Sequence, residues 1–92
     1  GAFHPHFMKD DAKSLRSCTD FMLAELRLAH IDLNLAENPL TDAETSSRHL
    51  RHAGRILKTV NRLLAEGNYD REFQDEIVAE RNRLHDRLSK RR

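Results

Sequence analysis

The chain has 92 residues, a length that suits one small domain and is too short for two. It contains 16 Lys and Arg against 15 Asp and Glu, which leaves a formal net charge of +1. One cysteine excludes an internal disulfide framework, and three Gly with two Pro leave few turns for an all-β fold. We therefore predict a single all-α domain over residues 10–92, soluble and cytoplasmic.

The first residues differ in composition from the rest. The chain begins with glycine, and a methionine follows at Met8. We interpret residues 1–7 as a vector remnant or a processed leader, and we predict a disordered leader over residues 1–9. We assign no function to His4 or His6, which fall inside it.

The first predicted helix ends at the Asn38-Pro39 pair, because proline disfavours the α conformation at the residue before it. Thr41 and Glu44 then fit a capping box, in which each side chain pairs with the backbone amide of the other residue. These signals predict a first helix over residues 10–37 and a second helix that begins at residue 42.

A second break separates the second helix from the third. Gly67 suits a left-handed helix C-terminus, and Asn68 or Asp70 can cap the helix that follows. We therefore predict that the second helix spans 42–66 and the third 70–89. Connections this short favour antiparallel neighbours.

The first predicted helix carries two apolar stripes on different sides. Each stripe recurs at alternating spacings of three and four residues, the helical period. A surface helix of a monomer has one such stripe, so two indicate that this helix is covered from two sides. The first stripe consists of Phe21, Ala24, Leu28, Ile31 and Leu35. The second stripe consists of Leu15, Thr19, Met22, Leu26, Ala29, Leu33 and Ala36.

Two architectures satisfy this pattern. In one, a three-helix bundle places the first helix in the middle and covers both stripes within one chain. In the other, which we favour, a three-helix bundle or a helical hairpin plus a third helix assembles as a dimeric bundle. Two-fold dimers are the commonest closed assemblies, and a domain this small buries only about 60% of its unfolded surface. The predicted dimer-interface residues are Phe21, Leu28, Ile31 and Leu35.

Charge is arranged in alternating blocks. Residues 20–44 and 66–80 each carry a net −5, whereas residues 45–65 and 81–92 each carry a net +5. Helix dipoles account for charges near the helix ends but not for the middle of the second helix. There, five basic residues recur at helical spacing opposite the apolar face. This basic stripe consists of Arg48, Arg51, Arg55, Lys58 and Arg62.

The basic stripe supports two functional hypotheses. The first is a non-catalytic interaction or regulatory module whose basic helix face binds an acidic protein partner. The second is a nucleic-acid-binding protein that uses the stripe together with the C-terminal basic residues. The structural alternative is a solvated face that acids on neighbouring helices compensate. The C-terminal basic residues are Arg81, Arg83, Arg87, Lys90, Arg91 and Arg92.

The sequence shows no pattern for catalysis or cofactor binding. His49 and His52 are three residues apart, but nothing at ligand spacing completes a zinc site, and nearby arginines would repel a cation. Cys18 lies beside the second stripe and fits a small core residue better than a nucleophile. We therefore predict no enzyme activity, cofactor, metal ion, small-molecule substrate or membrane partner.

Overall fold

The architecture consists of three α-helices joined by short turns. A computed structural model describes residues 4–90, with side chains from residue 12 onward. Helix α1 spans His4–Glu37, α2 spans Ala43–Glu66 and α3 spans Gln74–Ser89, and a 3-10 turn at Arg71–Phe73 precedes α3. No strand occurs among the described residues. The prediction of an all-α domain with three helices is confirmed.

Helix α1 is longer than predicted. Its helical backbone begins at His4 rather than near residue 10, and its end at Glu37 agrees with the prediction. Residues 1–3 lie outside the described residues, and a leader over residues 1–9 stays a prediction. At 1.5 Å per residue, α1 is about 51 Å long and α2 about 36 Å. The fold is accordingly elongated, with principal dimensions of 60, 21 and 15 Å.

The cap of α2 differs from the predicted capping box of Thr41 and Glu44. The helix begins at Ala43, so Asp42 is the N-cap residue, and its side chain accepts a hydrogen bond from the Thr45 amide at 2.7 Å. The prediction is wrong by one position, because aspartate caps a helix as well as threonine does. The hydrogen bond from the Thr45 amide stabilises the Asp42 carboxylate and so lowers its pKa.

The turn between α2 and α3 follows the prediction at its first residue. Gly67 adopts a φ of 75°, the left-handed conformation expected at a helix C-terminus, and its amide donates to the Leu63 carbonyl. Asp70 then accepts from the Glu72 amide at 3.1 Å and caps the 3-10 turn. Because this turn intervenes, α3 begins at Gln74, four residues later than predicted.

The core lies along one side of α1, where α2 and α3 pack against the second stripe. The members of that stripe from Thr19 to Ala36 are buried, as their spacing predicted. Cys18 is half-buried beside them. The buried residues that α2 and α3 contribute are Ala53, Ile56, Val60, Ile77 and Leu84.

A buried threonine fixes the second turn to α1. The Thr19 hydroxyl donates to the Leu15 carbonyl at 2.8 Å and accepts from the Asp70 amide at 2.7 Å. Tyr69, the neighbour of Asp70, is buried in the core cluster. These contacts determine where the chain turns back to form α3.

The first stripe of α1 faces away from α2 and α3. Phe21 is 48% exposed, Leu28 39%, Ile31 48% and Leu35 43%. Helices α2 and α3 both pack on the side of the second stripe. The alternative in which a single chain covers both stripes is therefore wrong.

Candidate functional site

The basic stripe lies on the solvent side of α2, and all five of its side chains are exposed. Arg48 lies 3.8 Å from Glu44, and Arg62 lies 4.0 Å from Glu66. These are exposed pairs one helical turn apart, a type that contributes about 0.3–0.5 kcal/mol. Among the residues that the structure describes, only the two ends of the stripe therefore form an ion pair.

The middle of the basic stripe is not neutralised. Arg51, Arg55 and Lys58 form no hydrogen bond or ion pair with another residue in the described part of the chain. Compensation by acids on neighbouring helices, the structural alternative, is not realised for these three side chains. Three cations thus share one exposed surface.

An apolar groove runs beside these three cations, between α2 and the C-terminal half of α3. Its volume is about 640 Å³. Leu50 and Leu57 of α2 and Leu88 of α3 form its apolar lining, with Gly54 between the two α2 leucines. The three cations and His85 also line it. Each of these leucines is only partly buried, because α3 does not cover the whole apolar face of α2.

A second cleft lies on the other side of the basic stripe, against α1. It has a volume of about 330 Å³. Asp32 of α1 is buried at its back and faces two imidazoles of α2. The Nδ1 atom of His49 lies 2.9 Å from Asp32 Oδ1, and that of His52 lies 2.5 Å from Asp32 Oδ2. Arg48, Arg51 and Arg55 complete the lining.

Asp32 has no role in the predictions from the sequence, which considered His49 and His52 only as an incomplete zinc site. The signal lies in the position of the aspartate, since a carboxylate at the edge of a core-facing stripe needs a donor from the helix packed against it. Two histidines one turn apart on the next helix supply such donors.

The C-terminal basic residues are largely engaged within the fold. Arg81 donates to a side chain of α2 at 2.8 Å, and Arg83 pairs with Glu80 at 3.0 Å. Arg87 reaches across to α1, whereas residues 91 and 92 lie outside the described residues. The α1 partners of Arg87 are His30, Asn34 and Glu37.

His30 is central to this contact between α1 and α3. Its Nδ1 accepts from Arg87 Nη1 at 3.0 Å, so its hydrogen lies on Nε2, which is buried without a hydrogen-bond partner. The nearest acidic atom, Glu80 Oε2, is 3.8 Å away. Burial first, and then the positive charges of Arg87 and Arg83, lower the pKa of His30. The imidazole is therefore neutral at pH 7.

Among residues 12–90, whose side chains the structure describes, no three His, Cys, Asp or Glu side chains are placed to hold a metal ion together. None of the described helices has both the length and the apolar composition needed to cross a bilayer. The chain matches no known family model, and no curated protein or solved structure is detectably similar to it. The basic stripe, the apolar groove and the cleft against α1 are therefore the features of the described residues that point to a function.

Proposed function

We propose that this chain is a non-catalytic helical interaction module that binds an acidic, amphipathic segment of a protein partner. The observation that carries the proposal is the pairing of unneutralised cations with an apolar groove. Arg51, Arg55 and Lys58 supply the positive rim, and the leucines between α2 and α3 supply the floor. An amphipathic helix with acids along the edges of its apolar face complements both features.

Gly54 supports a role for this groove. A glycine inside a helix costs about 0.5–1 kcal/mol relative to alanine, so a packing or functional reason is expected. A Cβ added at Gly54 would meet nothing within 4 Å, so the packing of the fold does not require glycine there. Its absent side chain instead keeps the floor of the groove open.

The proposal is tested by fluorescence anisotropy with a labelled synthetic helix of about 16 residues, leucine on one face and glutamate elsewhere. We expect Gly54→Leu, which fills the groove, to weaken binding at least about tenfold. Lys58→Gln should weaken it several-fold, and Arg27→Gln should have little effect. Arg27 is an exposed cation of α1 and provides the charge-matched control. Equal losses for Lys58→Gln and Arg27→Gln would show non-specific attraction and refute the proposal.

The nucleic-acid alternative is tested by the same titration with a DNA duplex in place of the peptide. The duplex has about 20 base pairs, and the titration is run at about 0.15 M salt. If the duplex binds more tightly than the peptide and with a steep salt dependence, the protein-partner proposal fails. The engagement of Arg81, Arg83 and Arg87 within the fold argues against that outcome.

We also propose that the first stripe of α1 binds a second copy of the chain. Phe21, Leu28, Ile31 and Leu35 together expose roughly 300 Å², comparable with the largest apolar patch on a typical monomer. Their heptad spacing fits the seam of a helix pair, and a two-fold axis lets the same stripe supply both sides. A standard interface buries roughly 1,200–2,000 Å² in total, and these four residues from two copies bury less than that. We therefore expect a dimer of micromolar affinity.

Sedimentation velocity at micromolar concentration tests the dimer. We expect the mean mass of the natural sequence to rise from the monomer mass toward twice that mass as concentration increases through the micromolar range, and Leu28→Glu to keep the monomer mass. Leu40→Glu is the matched control, because Leu40 is 93% exposed and lies outside the stripe. A natural chain that sediments as a monomer over this range would exclude the dimer.

A further inference from the structure

The cleft between α1 and α2 holds a buried carboxylate that orients two imidazoles. A carboxylate oxygen only accepts hydrogen bonds, so the Nδ1 atoms of His49 and His52 must both carry hydrogen and donate it to Asp32. Each ring is thereby fixed with Nε2 on the side away from Asp32. Neither Nε2 atom has a hydrogen-bond partner among the described residues, and both rings line the cleft.

The rim of this cleft is positively charged. Arg48, Arg51 and Arg55 line it, and Asp32 is the single acid among its lining residues. Each oxygen of Asp32 already accepts a hydrogen bond from an imidazole, and no other lining residue supplies a carboxylate for a cation. A metal ion at the Nε2 atoms would face three guanidinium groups, whereas an anion would be attracted by them.

We propose that this cleft binds a phosphate group. Guanidinium groups match the oxygens of phosphate through paired N–H donors. An imidazole Nε2 can donate to a phosphate oxygen when protonated, or accept from a P–OH group when neutral, so both states of the ring suit this ligand. The volume of about 330 Å³ accommodates a phosphate with the small group that carries it.

The proposal does not depend on the acidic-partner function. The cleft for phosphate and the groove for the partner lie on opposite sides of the basic stripe and share only Arg51 and Arg55. Lys58 and Gly54 belong to the groove alone, and His49 and His52 to the cleft alone. Phosphate binding and peptide binding can therefore fail separately.

Proton NMR of the histidine ring signals provides the test, with inorganic phosphate and O-phosphoserine as the two probes. Sodium chloride at matched ionic strength is the control. We expect phosphate to shift the signals of His49 and His52 saturably and to leave those of His85 unchanged. Tighter binding of O-phosphoserine than of inorganic phosphate would identify a phosphorylated side chain as the source of the group. The reverse order would identify free phosphate.

Matched variants distinguish phosphate binding in the cleft from non-specific attraction by exposed positive charge. Arg51→Gln and His52→Gln should each weaken phosphate binding about tenfold, as expected for a lost charge-assisted hydrogen bond. Lys58→Gln and His85→Gln remove a cation and an imidazole outside the cleft and should change binding less than about twofold. These four positions are exposed, so the substitutions leave the core intact. Equal shifts with chloride, or equal losses for Arg51→Gln and Lys58→Gln, would overturn the proposal.

Discussion

Replacing Thr19 with valine tests the contact that fixes the turn before α3. The Thr19 side chain is fully buried, and its hydroxyl accepts from the Asp70 amide at 2.7 Å across 51 positions of sequence. Valine has nearly the same shape and helix propensity as threonine, so the substitution removes the hydroxyl and little else. The Asp70 amide then loses its acceptor.

The expected cost follows from that orphaned donor. Leaving a buried N–H group without a partner costs about 1–3 kcal/mol, and because Asp70 is half-buried we expect a cost near the lower end of that range. In a domain of this size each kcal/mol lowers Tm by about 4–8 °C. The Leu15 carbonyl, which the hydroxyl also contacts, lies inside α1 and keeps its helical partner. The expected loss of folding stability therefore arises from the Asp70 amide alone.

Urea unfolding followed by circular dichroism measures the effect. Thr59→Val is the control, because Thr59 is a half-buried threonine of α2 with no side-chain hydrogen bond within residues 12–90. We expect the control to change the free energy of unfolding by less than about 0.5 kcal/mol. Hydrogen exchange at the Asp70 amide should accelerate in Thr19→Val. Equal stabilities of the two variants would refute the assignment of this contact.

Three further predictions concern the stability of the fold. Gly54→Ala should stabilise it by about 0.5–1 kcal/mol in urea unfolding, since the added Cβ meets nothing within 4 Å. Arg87→Gln should lower the free energy of unfolding by about 1–2 kcal/mol, and Arg83→Gln, at a more exposed ion pair, by less than about 0.5. The lowered pKa of His30 means that the unfolded chain binds its proton more readily than the folded one. Stability should therefore fall as pH drops from about 6.5 through the lowered pKa, and less steeply in His30→Gln.

The opposite result in each of these three experiments would contradict the structure. A destabilised Gly54→Ala variant would mean that the groove is closed in solution. Equal losses of stability for Arg87→Gln and Arg83→Gln would mean that Arg87 does not stabilise the contact between α1 and α3. Parallel pH profiles of His30→Gln and the natural chain would mean that the imidazole is not held neutral by burial and by its two arginine neighbours.

Features that depend on local chemistry could be predicted from the sequence. The spacing of the second stripe fixes one side of α1 as the core, because residues three or four apart share a helix face. Gly67 marks a helix end, because a left-handed residue carries no penalty without a side chain. The start of α2 was misplaced, since Thr41 and Asp42 are adjacent and both can cap a helix.

Features that depend on distant residues could not be predicted. The position of Asp32 indicates that it needs a donor, but the identity of its donors, His49 and His52, depends on how α1 and α2 are rotated against each other. Arg87 belongs to a charge block typical of a solvated helix end, yet it reaches side chains 50 to 57 positions away. The groove likewise exists because α3 covers only part of the apolar face of α2.

The most direct test of the central claim, an unneutralised docking surface on α2, is an amide NMR map of the chain titrated with the acidic amphipathic peptide. The largest shifts should fall on Gly54, Leu57 and Leu88, with progressively smaller changes away from the groove. Shifts centred on the first stripe of α1, or spread evenly over every exposed cation, would contradict the assignment of the docking surface to α2.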